Sequence, residues 1–148
     1  IYVMERLVDG IENLTIEMSA LHCENTTIPF YIHSSPTCNS SVVDTGLSID
    51  VQAKTIATII QDHNLEHVDF VKCDIEGSEI IALTNDTIKE VADKINMWWV
   101  ELHPTKDVRP GSRGNTEENR QLIAERFRNN GYNVDIETVD WDQLLAWK

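Results

Sequence analysis

Three carboxylates and one glycine stand where an apolar run stops. In VDFVKCDIEGSEIIAL, residues 68–83, Asp74, Glu76 and Glu79 surround Gly77 before the apolar residues resume. A second run, MWWVELH at 97–103, closes on Glu101 and His103. Carboxylates in such places can hold an ammonium or sulfonium group, ligate a metal, or take a proton from a hydroxyl, and a histidine can share that last task. Gly77 permits a tight turn or a close backbone approach to a ligand. A helix opening at Ser78 adds free N–H groups and the positive end of its dipole. The plainer reading makes Asp74 a helix cap, Glu76 and Glu79 first-turn residues, and His103 a hydrogen-bonded loop residue. Residue types alone leave both readings open. His22, His33, His63 and His67 are scattered, and no metal site is expected.

These groups need elements to position them. Residues 68–73 read as a buried strand, and 97–102 as another, with Trp98 and Trp99 on opposite faces. Residues 14–21, 28–33 and 48–53 also read as strands. Residues 55–63 carry Ile56, Ile59 and Ile60 at helical spacing. Residues 78–83 begin a helix, and 87–95 form another, capped by Asn85 or Asp86. Asn115 with Glu118 resembles a capping box. Its helix runs to about 129, with Leu122, Ile123 and Phe127 on one face and Gly131 as its stop. Strands at 132–138 and 143–147 close the chain. Residues 1–8 read as the end of a helix stopped by Asp9-Gly10. Strands alternating with helices predict a mostly parallel sheet. In such sheets ligands sit at the carboxyl ends of strands, so Asp74, Glu101 and His103 are expected on one rim.

The 148 residues fit a single domain with a real core. A formal net charge of −13 argues against nucleic acid and anionic membranes. The apolar runs are too short to span a bilayer, and no signal peptide is expected. Cys23, Cys38 and Cys73 lack disulfide or zinc spacing, and Cys73 reads as a buried thiol. Reduced cysteines favour the cytoplasm. The Asn-x-Ser/Thr sequons at Asn13, Asn25, Asn39 and Asn85 hint instead at the secretory pathway. The polar stretch at 34–41 reads as a flexible loop and Arg109–Arg113 as a solvated loop rather than an anion site.

KCDIEGSE, with VDFV before it and IIAL after it, resembles the motif of the FkbM-type S-adenosylmethionine-dependent methyltransferases. Lys72, Asp74, Ile75, Glu76, Gly77, Ser78 and Glu79 match it in order. ENLTIEMSAL (12–21), VQAKTIATII (51–60), WWVELHP (98–104) and NNGYNVDIE (129–137) resemble flanking elements. The resemblance implies an α/β, class I (Rossmann-like) sheet, mostly parallel with an antiparallel final strand. It implies methyl transfer from S-adenosylmethionine to a hydroxyl of a sugar or other small molecule. By position, Asp74, Glu76 and Gly77 lie at the cofactor, with Ser19, Ala20 and Leu21 near its adenine. Glu76, Glu79, Glu101 and His103 face the acceptor, and Asp74 or His103 removes its proton. The loops at 34–41 and 109–113 are expected to decide the acceptor.

The family's first strand carries a D-x-G-x-x-x-G loop and its second ends in an acidic ribose ligand. Neither occurs here, where Gly10 and Gly46 are isolated. The expectation is a single domain, 1–148, truncated at its N-terminus and lacking the first two family strands. That leaves a sheet edge that a second copy can cover. The rival reading is a non-catalytic, degenerate methyltransferase-fold module that binds a partner through that edge. A further one is an unrelated α/β enzyme with the same acidic turn.

Overall fold

The computed structural model describes residues 13–32, 46–102, 117–140 and 142–148. In chain order the elements are β1 (Ala20–Leu21), β2 (Thr26–Tyr31), β3 (Ser48–Lys54), α1 (Ile56–Asp62), β4 (Val68–Cys73), α2 (Glu79–Ala82), α3 (Asn85–Val91), β5 (Ile95–Glu101), α4 (Glu117–Asn129), β6 (Asn133–Asp135) and β7 (Gln143–Trp147). The expected helix at 1–8, the loops at 34–41 and 109–113, Asn115 and His103 lie outside the described residues.

The β-branched and aromatic runs VDFVKC and INMWWVE form β4 and β5, as strand propensity requires. They pair in parallel, with Lys72 beside Trp99 and Cys73 beside Val100. β7 pairs antiparallel with both β5 and β6, giving the order β4-β5-β7-β6. A second sheet has the order β1-β3-β2, with β1 parallel and β2 antiparallel to β3.

The expectation of one mostly parallel sheet is therefore corrected. There are two mixed sheets, and antiparallel pairings are the majority among the described residues. The reasons are local. The described residues between β6 and β7, 136–140 and 142, form no helix, and so short a link permits only an antiparallel return. β2 and β3 bury little of either face, which antiparallel pairs tolerate better than parallel ones. The strand expected over 14–21 shrinks to Ala20–Leu21, because Leu14 and Met18 stay exposed.

Helices pack on one face of the four-stranded sheet. Trp98, Val100, Leu144 and Ala146 are buried there with Ile88, Val91, Ile123 and Phe127. Trp98 and Phe127 meet edge to face at 5.4 Å, and Phe127 and Tyr132 at 5.5 Å, a favoured aromatic geometry. The Tyr132 hydroxyl donates to the Ile95 carbonyl at 2.7 Å, so this buried polar group is satisfied. Leu122, expected on the same face as Ile123, is instead exposed on α4. The buried α4 positions are Ile123, Ala124 and Phe127, one helical stripe.

Caps set the helix ends. Thr55 Oγ1 accepts the Thr58 amide at 3.1 Å to start α1. The cap of α3 is Thr84, not Asn85 or Asp86, and its hydroxyl accepts the Thr87 amide at 3.2 Å. At the end of α4, the amides of Gly131 and Tyr132 bond the carbonyls of Arg128 and Phe127. That pair of bonds needs a left-handed residue, and Gly131 supplies φ +81°.

Candidate functional site

The acidic motif begins where β4 ends. The Ser78 amide bonds the Ile75 carbonyl at 3.2 Å, closing a four-residue turn. Its central residues, Glu76 and Gly77, have φ of +54° and +93°. Two consecutive positive φ angles define a mirror-image turn. Gly77 accepts that geometry freely. Glu76 does not, and a non-glycine residue held there costs on the order of 1 kcal/mol.

Glu79 holds this turn from beneath. It is 0% exposed, and its Oε1 accepts the amides of Ile75 at 3.1 Å and Gly77 at 3.3 Å. A buried carboxylate needs such donors. Arg126 of α4 secures the next turn, donating from Nη1 to the carbonyls of Ile80 at 2.9 Å and Leu83 at 2.8 Å. These are the carbonyls that a short helix leaves without intrahelical partners. The sequence marked Glu79 but not its inward direction, and it gave no sign of Arg126, whose contacts lie more than forty residues away.

The rim itself forms across two strands. Lys72 Nζ donates to Asp74 Oδ2 at 2.7 Å and lies 3.4 Å from Glu101 Oε2. The β4–β5 register sets Asp74 beside Glu101 at the same carboxyl ends. The Asp74 and Glu101 side chains are each about one-third exposed. The hydrogen bond from Lys72 to Asp74 holds the lysine's pKa above its ordinary value, with Glu101 adding to the effect. Cys73, between Lys72 and Asp74, points into the core. Burial first, then Glu79 and Asp74, push its thiol pKa far up, so it is no nucleophile.

The structure thus brings Asp74, Glu76, Gly77 and Glu101 to one end of the β4–β5 pair, with Glu79 beneath them. Ser19, Ala20 and Leu21 lie at β1, in the other sheet. Among the described residues no group of three or more His, Cys, Asp or Glu side chains is arranged to hold a metal. No helix among the described residues is long and apolar enough to cross a membrane.

The family model described as Methyltransferase FkbM domain matches residues 10–134. Comparison with curated proteins and with solved structures returns no match.

Proposed function

Because the chain belongs to the FkbM methyltransferase-domain family, we propose that the β4–β5 rim serves S-adenosylmethionine-dependent methylation of a hydroxyl on a small molecule or sugar. The observation that carries this reading is the convergence of Asp74 and Glu101 beside a strained turn that presents Glu76. Strain at a carboxylate is a reason to look for a ligand of that carboxylate.

The residues fit the charged end of such a cofactor. Carboxylates at the rim complement its ammonium and sulfonium groups, as opposite charges do at short range. Glu76 and Asp74 would hold that end, with Gly77 at the centre of the tight turn beside them. Ser19, Ala20 and Leu21 are proposed for the adenine. When bound, the cofactor supplies an electrophilic methyl group. The chain's own contribution is alignment of the acceptor hydroxyl and removal of its proton. Alignment alone can supply several kcal/mol. Asp74 receives the hydroxyl proton, or His103 does, as general base. Glu101 orients the acceptor.

Titration calorimetry with S-adenosylmethionine tests the binding half. We expect Glu76→Ala to weaken binding about tenfold, equivalent to roughly 1.4 kcal/mol. Equal affinity in wild-type and variant protein would remove Glu76 from the site.

A second reading has its own observation. Phe70, Met97 and Trp99 lie on the sheet face away from α4 and are 48%, 36% and 41% exposed. β4 is the end strand of its sheet among the described residues. An apolar face beside an open strand edge suits a partner or a second copy. Sedimentation of the chain across a concentration series separates that use from a monomeric enzyme.

A further inference from the structure

We propose that Lys72 is a positioning residue for methyl transfer, acting through Asp74. This rests on the reading of the rim given above. Lys72 stands on β4 two residues before Asp74, so both side chains leave the same face of the strand. Its register partner is Trp99 on β5, two residues before Glu101. The lysine is therefore placed to reach both carboxylates, and it does so at 2.7 Å and 3.4 Å.

The arrangement has a chemical consequence. Asp74 and Glu101 carry like charges on neighbouring strand ends, and unscreened they repel. A cation between them fixes the Asp74 carboxylate in one orientation, with Oδ2 turned to the ammonium. The second oxygen is then directed by the same bond. Without Lys72 the carboxylate loses this bond at Oδ2, and its alignment with an acceptor proton shifts. The lysine side chain is 54% exposed, and exposed ion pairs contribute little to stability. The bond therefore matters for geometry rather than for folding.

The test compares Lys72→Met and Lys72→Arg in wild-type and Asp74→Asn backgrounds. Turnover, acceptor KM and the ¹³C resonance of the Asp74 carboxyl are measured. We expect Lys72→Met to lower kcat about tenfold, within the range that misalignment causes, with KM for the acceptor unchanged. Lys72→Arg recovers most of that loss. In the Asp74→Asn background, Lys72→Met has no further effect, because the pair acts as a unit. The Asp74 carboxyl resonance moves in Lys72→Met, returns in Lys72→Arg, and stays put in a Lys54→Met control. Unchanged kcat in Lys72→Met, equal losses in both backgrounds, or an unmoved Asp74 resonance each overturn the proposal. Wild-type protein that transfers no methyl group would instead sink the functional reading, and the resonance would still decide whether Lys72 orients Asp74.

Discussion

At the scale of residues, the turn after β4 sets one carboxylate against another. Glu79 lies buried and bonded to two amides, while Glu76 occupies a left-handed conformation that suits glycine. Their substitutions should therefore act in opposite directions. Glu79→Ala strands one buried and one part-buried amide and should destabilise the protein by roughly 1–3 kcal/mol, read by urea denaturation. Glu76→Gly should stabilise it or leave it unchanged, since relief of about 1 kcal/mol of strain is set against a looser unfolded chain. The same variant should lose methyl transfer. Cys73 supplies an independent check. Buried, with its thiol pKa raised by that burial, it should resist alkylation in the native protein and react only on unfolding, as mass spectrometry would show. Chemistry of this kind was partly legible in DIEGSE: spacing located the carboxylates. Which one turns inward depends on packing against α4, and no local pattern carries that.

At the scale of elements, caps and registers explain what the sequence predicts well and what it does not. β4 and α1 appear where periodicity places them, because long apolar runs and a threonine before a helix are local signals. The cap of α3 is Thr84 because its hydroxyl reaches the Thr87 amide, and Asn85 is already the first helical residue. Pairing is a different matter. Parallel and antiparallel partners are chosen between distant segments, so the two mixed sheets were hidden while most of their strands, β1 apart, were not. The start of α1 is held twice. Asn25 Oδ1 accepts the Thr55 amide at 3.0 Å, and its Nδ2 donates to Thr58 Oγ1 at 2.8 Å. Thr55→Ala should cost about 1 kcal/mol, a usual loss for a helix cap, measurable as a lower melting temperature. Asn25 also begins a sequon, and a glycan on Nδ2 would compete with this cap.

At the scale of the whole molecule, a charged network ties the segment before β1 to β3 and α1. Lys54 Nζ lies 3.2 Å from Glu17 and 2.8 Å from Asp62, and His63 Nε2 lies 3.1 Å from Glu17. The contact with His63 first, then that with Lys54, holds the Glu17 pKa below its ordinary 4.5. A lowered carboxylate pKa adds stability above the unfolded value and loses it as pH falls through the folded one. Amide protection factors at Ala20 and Leu21, exchange rates corrected for the intrinsic rate at each pH, should therefore hold above pH 4.5 and fall only in more acid solution.

The most direct measurement is methyl transfer from S-adenosylmethionine to a panel of small hydroxyl-bearing acceptors, comparing wild-type protein with Asp74→Asn. We expect wild-type turnover and a loss of about a hundredfold or more in the variant, the size of effect expected of a general base. Equal turnover in the two proteins would contradict the role given to Asp74. Absence of transfer by the wild-type protein would contradict the catalytic reading of the rim.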